Sequence, residues 1–332
     1  MHHPHDPHRR RSLRWLAAGA VGASGLATPL VRAADLPFRQ FKIVNPTSPG
    51  GTVDQVSRIM ADKMAGYLGV PVVVEHKPGG SGAIAATAVI RGPKDGSQVF
   101  FGTSSTMGFM KMLNKDLSYD PIRDLAPVVM VGSVPVGLFT ANAHPTLEAF
   151  VAAARARPGA FSFSSTGLQS LAHLAGELLA QRAGLKMVHV PYTGSAAKYW
   201  TDLIGGELQM AIAGVTGGLP LARDGKLKLV AVASRERSKL FPEVPAAGEL
   251  YPGYDVPAWF GFAAAAGTPP ATIRLLEAAA LAALREPATR GQFANIGVDI
   301  DPILGTEAFV SRIGTDNAMW EKLFRTAGLL AL

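Results

Sequence analysis

Four short loops concentrate the residues of this sequence that could hold a ligand. They span residues 47–54, 103–107, 164–170 and 192–196, and each follows an apparent strand and precedes an apparent helix. All four are rich in Gly, Ser and Thr, and none contains Lys or Arg. Ligands of open α/β sheets bind at such strand-to-helix turns. An anionic ligand would therefore be met by backbone N–H groups, hydroxyls and helix N-termini.

The first loop has the most specific pattern. Thr52 and Gln55 have the spacing of a capping box, which would place Pro49, Gly50 and Gly51 where free N–H groups point away from the helix. The paired glycines would let a ligand approach the backbone closely. An ordinary strand-to-helix turn fits the same residues, so this loop alone leaves both interpretations open.

The recognisable enzyme patterns lack their required context. Residues 80–85 match a dinucleotide fingerprint, but they form the second turn and no acidic residue ends the next strand. His173 and Glu177 are one helical turn apart, yet they lie opposite an apolar stripe, which favours a solvated or cleft-edge face over a metal site. We expect no catalytic residue, cofactor or metal. An exported hydrolase or lyase using Ser165 with His173 stays open as an alternative.

The first 33 residues have the pattern of an export signal. Arg10 and Arg11 precede an apolar stretch that runs to Val31, and Val31-Arg32-Ala33 fits a cleavage site. The arginine pair favours the twin-arginine (Tat) route, with the Sec route as the alternative. We therefore expect a signal peptide over residues 1–33 and a periplasmic mature protein.

Charge and cysteine content exclude several classes of function. The chain has 32 basic and 25 acidic residues, and the first 33 residues carry five Arg and one Asp. The remainder has 27 basic and 24 acidic residues, a net charge of +3 without a basic run, so nucleic acid is not an expected partner. The absence of cysteine excludes thiolate catalysis and Cys-ligated metals.

The apolar patterns after the signal predict two α/β units. A long apolar stretch over 128–141, broken at Pro135, indicates a strand that leaves the first unit and enters the second. Strand Trp259 to Ala265 would return the chain to the first unit. We expect helices at 83–90, 147–156, 170–183, 195–204 and 306–327, and one that begins at Thr268-Pro269-Pro270 with Thr268 as its cap.

Several motifs together resemble one known family. Singly they are weak, but their order and spacing are specific, and they extend over the whole sequence that follows the signal. They include Pro49-Gly50-Gly51-Thr52-Val53-Asp54, Pro78-Gly79-Gly80-Ser81-Gly82, Ser164-Ser165-Thr166-Gly167, His173-Leu174-Ala175-Gly176-Glu177, Val190-Pro191-Tyr192-Thr193-Gly194-Ser195 and Trp259-Phe260-Gly261. With these motifs the chain resembles the Bug family, the solute receptors of tripartite tricarboxylate transporters.

The resemblance implies a two-lobed periplasmic-binding-protein type II fold with a ligand cleft between the lobes. Lobe one would comprise 35–135 plus 255–332, and lobe two 136–254. The implied protein is a monomeric, non-enzymatic solute receptor that captures a small organic carboxylate for a membrane permease. A ligand-loaded partner of a sensor kinase is the alternative.

The resemblance also implies ligand contacts from both lobes. The expected contacts are Gly50, Gly51, Thr52, Asp54, Ser104, Thr106, Thr166, Gly167, Ser170, Tyr192, Thr193 and Gly194. Met107 and Phe109 depart from the usual polar continuation and suggest a partly apolar ligand. Trp259 could either wall the cleft or belong to the core.

Overall fold

The strands of the protein form two five-stranded sheets in a computed structural model that describes residues 36–50, 52–165, 167–192, 196–300 and 302–327. The signal expected over 1–33 lies outside the described residues. So do Gly51, Thr166, Thr193 and Gly194. In the described ranges, no helix has both the length and the apolar character needed to cross a membrane.

The strands of the first sheet are β1 (Phe41–Asn45), β2 (Val72–His76), β3 (Gln98–Thr103), β4 (Leu125–Ser133) and β10 (Trp259–Ala265). Their order in the sheet is β2-β1-β3-β10-β4. β1 pairs in parallel with β2 and β3, whereas β10 runs antiparallel to β3 and β4. The helices that belong to this part of the chain are α1 (Thr52–Leu68), α2 (Ala83–Ile90), α3 (Met110–Leu113), α9 (Pro270–Arg285), α10 (Pro287–Asn295) and α11 (Thr306–Ala327).

The strands of the second sheet are β5 (Val136–Thr140), β6 (Phe161–Ser165), β7 (Met187–Pro191), β8 (Met210–Gly214) and β9 (Lys228–Val232). Their order in the sheet is β7-β6-β8-β5-β9. The intervening helices are α4 (Leu147–Ala156), α5 (Leu171–Ala183), α6 (Ala196–Gly205), α7 (Val215–Arg223) and α8 (Ala247–Leu250). The parallel pairing of β6 with β7 and β8 brings the loops after these strands to one edge of the sheet.

Local sequence explains where several helices begin. Thr146 caps α4, because its hydroxyl accepts a hydrogen bond from the Ala149 amide at 3.2 Å. The cap predicted at Thr268 is wrong. The Thr268 hydroxyl donates back to the carbonyl of Ala265 at 2.8 Å, and α9 begins at Pro270 after Pro269.

The chain crosses between the sheets at two adjacent segments. One crossing joins β4 to β5 through Val134 and Pro135, and the other leads into β10. The two are hydrogen-bonded, from the Val134 amide to the carbonyl of Ala258 at 2.9 Å. We propose that these crossings separate lobe one (35–135 plus 255–332) from lobe two (136–254).

An apolar cluster also joins the two sheets. Phe109 and Leu113, beside β3, pack with Trp320 and Phe324 of α11 in a cluster that includes buried side chains of α5. The rings of Phe109 and Trp320 are 4.8 Å apart between centroids. Phe109 therefore belongs to the core and is not available to a ligand.

Candidate functional site

A cavity of about 800 Å³ lies between the two sheets, within the range of small-molecule sites. The first lobe contributes Thr52, Ser81 and Ser104 to its lining, and the second contributes Gly167, Gln169 and Ser170. The crossing segments contribute a largely apolar surface, which consists of Val134, Val136, Ala258, Trp259 and Phe260. Among the described residues, no charged side chain lines the cavity.

The N-terminus of α5 faces this cavity from the second lobe. Ser170 is its N-cap, and the Ser170 hydroxyl accepts a hydrogen bond from the His173 amide at 3.3 Å. Leu171 and Ala172 follow in the first turn and line the cavity, and amides at this position have no intrahelical partner. They are suitable donors for a carboxylate, as the helix dipole also favours an anion there.

The start of α1 faces the cavity from the first lobe, but only part of the predicted loop does so. Thr52 and Val53 line the cavity, whereas Gly50 and Asp54 do not. The Gly50 amide donates to Asp54 Oδ2 at 2.9 Å. Among the described residues, this hydrogen bond stabilises the start of α1, and the capping box predicted between Thr52 and Gln55 is not formed.

Asp54 is a structural anchor instead of an open ligand contact. Its side chain is 5% exposed and pairs with Arg58 at 2.9 Å. His76 Nε2 lies 3.1 Å from Asp54 Oδ1, and His76 Nδ1 lies 2.8 Å from the carbonyl oxygen of Thr47. Burial alone would raise the pKa of Asp54, but the Gly50 amide, Arg58 and His76 outweigh it and lower the pKa. The ionised carboxylate thus ties both ends of the first loop together.

The loop after β3 divides between the cavity and the core. Ser104 lines the cavity, whereas the Thr106 hydroxyl accepts a hydrogen bond from the Thr103 amide at 2.8 Å and is buried. Met107, like Phe109, is buried in the core. The apolar ligand contact expected from these two side chains is wrong, because a π-helical turn over Ser105–Phe109 directs them inward. The apolar lining comes instead from Met110 and the crossing segments.

Tyr192 is turned away from the cavity lining and toward α6. Its hydroxyl donates to Asp202 Oδ2 at 2.7 Å, and Lys198 pairs with the same carboxylate at 2.9 Å. Burial, followed by the neighbouring Asp202, raises the pKa of Tyr192 to about 12. The expected ligand contact is therefore better described as the anchor of its loop on α6.

Trp259 has both of the roles considered for it. Its side chain lines the cavity, and only 2% of the residue is exposed. The indole Nε1 donates to Asp316 Oδ2 at 2.6 Å, and Arg312 lies 2.9 Å from that carboxylate. The ring is thus fixed in place, with its polar atom already bonded within the protein.

The pairing of Ser165 with His173 that a hydrolase would require is not present. Ser165 is buried, and its Oγ lies 2.5 Å from Nε2 of His189 rather than His173. Nδ1 of His173 instead accepts a hydrogen bond from the Gln169 amide at 3.1 Å. Burial, and secondly His173, lower the pKa of His189. No group of residues that could hold a metal ion occurs in the described part of the chain.

The sequence did not identify Ser81, Gln169 and Tyr199, which also line the cavity. Ser81 and Gln169 have φ values of 52° and 62°, a region that favours glycine. The Pro-Gly-Gly turn before Ser81 was a usable signal for the first. Gln169 lies in the predicted loop over 164–170, but no local pattern singled out its side chain, because the residues that it contacts come together only in the folded chain.

Comparison with known proteins gives a consistent result. The family model of the tripartite tricarboxylate transporter family receptor, TctC, matches residues 56–327. Protein BugT of Bordetella pertussis is 34% identical over 293 residues, which cover 86% of this chain and 88% of that protein.

Three solved structures share the architecture. An R. palustris protein with adipate has a TM-score of 0.80 at 29% identity, over 90% of this chain and 100% of that one. MatC from Rhodopseudomonas palustris with bound malate has a TM-score of 0.74 at 27% identity, over 86% of this chain and 99% of that one. The periplasmic binding protein BugD has a TM-score of 0.76 at 27% identity, over 89% of this chain and 99% of that one.

These matches confirm the predicted two-lobed α/β fold and the resemblance to the Bug family. The proteins of this family are periplasmic solute-binding receptors rather than enzymes. The matched region covers most of the chain, including every strand of both sheets except β1. The chain therefore belongs to the tripartite tricarboxylate transporter receptor family, TctC.

Proposed function

We propose that this protein captures a small organic carboxylate in the periplasm for a tripartite tricarboxylate-type permease. The observation that carries the proposal is the cavity between the lobes, which the N-terminal turns of α1 and α5 approach from opposite sides. Among the described residues, the side chains that line it are uncharged, and several carry hydrogen-bond donors. Two structural neighbours hold adipate and malate, which are both small organic carboxylates.

The energetics are compatible with useful affinity. A dissociation constant of about 1 μM requires about 8 kcal/mol. Favourable placement at a helix N-terminus contributes up to about 2 kcal/mol, and hydrogen bonds to a charged group contribute about 1.5–3 kcal/mol each. A carboxylate held by both helix starts and by the hydroxyls of Ser81 and Ser104 could reach this range without a cation.

The expected contacts that fall outside the described residues remain part of the proposal. Gly51, Thr166, Thr193 and Gly194 continue the same loops and carry the same backbone donors. Of the described contacts, Thr52, Ser104, Gly167 and Ser170 line the cavity, and we assign them to the ligand. Gly50, Asp54, Thr106 and Tyr192 position these loops.

We further propose that residues 1–33 direct export through the Tat route and that the mature protein acts as a monomer. Replacing Arg10 and Arg11 together by Lys should then reduce the amount of protein in the periplasm. Unchanged periplasmic levels would contradict the Tat assignment and favour Sec. Genes for a permease beside the gene of this protein would favour transport, whereas a neighbouring sensor kinase gene would favour signalling.

A thermal-shift screen of organic acids, with adipate and malate included, tests the binding function. An acid at about a hundred times its dissociation constant should stabilise the protein by about 2.7 kcal/mol, which raises the melting temperature by several degrees. Matched amines and neutral amides of the same carbon skeletons are the controls. Equal shifts for acids and amides would contradict carboxylate recognition.

A further inference from the structure

Two residues with a strained backbone line the cavity, one in each lobe. In the described ranges, Ser81 and Gln169 are the non-glycine residues with a left-handed backbone, at φ values of 52° and 62°. Both line the cavity, one from each lobe. A side chain is disfavoured in this conformation, and such strain concentrates at functional sites. A residue other than glycine at such a position therefore suggests that its side chain makes a contact that offsets the strain.

Gln169 makes such a contact. Its side-chain Nε2 donates to the carbonyl oxygen of Leu113 at 2.9 Å. Leu113 is the last residue of α3, on the chain between β3 and β4 of the first sheet. A carbonyl at a helix C-terminus lacks an intrahelical partner, so the amide of Gln169 satisfies an otherwise open acceptor. The bond thus joins a cavity-lining loop of lobe two to a segment of lobe one.

The backbone of Gln169 is held as well. Its amide donates to Nδ1 of His173 in the first turn of α5 at 3.1 Å. The left-handed backbone and the two hydrogen bonds together fix the loop over 167–170, which carries the N-cap of α5. The same residue therefore positions the helix start that we assign to the ligand and connects it to the opposite lobe.

We propose that Gln169 is a positioning residue that latches the loop 167–170 to α3 and thereby sets the width of the cleft. The proposal concerns the cavity described above, and its consequence for binding rests on the proposed function. Because the acceptor is a backbone carbonyl, the latch depends on the length and the amide group of one side chain. A glycine at this position would relax the backbone but abolish the latch.

Distance measurements on the ligand-free protein test the latch. The chain has no cysteine, so Ile122→Cys on lobe one and Ile204→Cys on lobe two, at residues that are 62% and 46% exposed, provide unique sites for spin labels. Gln169→Gly and Gln169→Asn, in which the amide is one carbon shorter, should both broaden the distance distribution and shift it to longer values.

Ser81→Gly is the matched control, because it relieves the same kind of strain on the opposite wall. In the described part of the chain, Ser81 has no hydrogen bond to lobe two, so the distance distribution of Ser81→Gly should match that of the wild type. Both glycine variants should melt no lower than about the wild-type temperature, since strain relief offsets the lost bond at position 169. Identical distributions in the wild type and both Gln169 variants would overturn the proposal.

Binding provides a second measurement with adipate and malate as the probes. For a probe that binds the wild type, Gln169→Gly should bind roughly threefold to tenfold more weakly, the equivalent of one side-chain hydrogen bond. If no acid binds the wild type, the proposed function fails while the distances still decide the latch. If Gln169→Gly keeps both the wild-type affinity and the wild-type distances, the latch fails and the receptor function stands.

Discussion

Asp54→Asn separates an anchoring role of this carboxylate from a direct role in ligand binding. The carboxylate accepts from the Gly50 amide and pairs with Arg58 and His76. Asparagine keeps the shape but loses the charge, which weakens all three contacts. Hydrogen bonds to charged groups contribute about 1.5–3 kcal/mol and the Arg58 pair, being exposed, under about 1 kcal/mol. We expect the free energy of unfolding to fall by about 2–3 kcal/mol at neutral pH.

The pH dependence of the difference gives a sharper test. The pKa of Asp54 in the folded protein lies below its ordinary value of 3.8. Its contribution to stability is therefore complete well above that value and disappears as the pH falls through the folded pKa. Urea unfolding from about pH 6 to about pH 2.5 should show the wild-type advantage over Asp54→Asn shrinking in acid.

Arg58→Ala is the control for this measurement, since the Arg58 side chain is 58% exposed and its loss should cost under about 1 kcal/mol. Equal stability of Asp54→Asn and wild type at neutral pH would refute the anchoring role. A carboxylate that contacted only the ligand would give that result, with binding altered and unfolding unchanged.

Three further substitutions test the other positioning contacts. Tyr192→Phe removes the bond to Asp202 and should lower the free energy of unfolding by about 1–2 kcal/mol. Because the pKa of Tyr192 is raised to about 12, the wild type should lose stability between about pH 10 and pH 12, and Tyr192→Phe should not; urea unfolding across that range measures both. Trp259→Phe deprives buried Asp316 of one hydrogen-bond donor and should lower the free energy of unfolding, measured by calorimetry, by about 1–3 kcal/mol. An unchanged melting temperature would contradict the anchoring of Trp259 by Asp316. Ser170→Ala should lose about 1 kcal/mol of helix capping and weaken carboxylate binding in a titration; unchanged affinity would remove Ser170 from the site.

The sequence was sufficient for most of the elements. The helix expected at 147–156 is present as Leu147–Ala156, and strand Trp259 to Ala265 has its predicted bounds. Local signals are strong there, namely a threonine cap and an uninterrupted apolar run. Helices α3, α7, α8 and α10 were not predicted. Glycines and Pro220 interrupt the helical sequence pattern of the segment that forms α7, and α10 lacks a clear apolar face.

The site was predicted less completely, because side-chain direction depends on tertiary contacts. Thr52, Ser104, Gly167 and Ser170 line the cavity, and their contact with a ligand stays a prediction. Asp54 stands in the same loop as Thr52, but its partner His76 is contributed by β2. Sequence spacing cannot reveal such a partner, so a residue that secures the loop could not be distinguished from one that faces the ligand.

Calorimetric titration of the wild type with the acid of largest thermal shift tests the central claim most directly. Ala172→Phe adds bulk at the cavity-lining start of α5, and Ala152→Phe makes the same change at an exposed position of α4 as a control. We predict one bound acid per chain, wild-type affinity in Ala152→Phe and binding lost in Ala172→Phe, although both variants remain folded. Undiminished affinity in folded Ala172→Phe, or no binding of any acid by the wild type, would contradict a carboxylate site between the lobes.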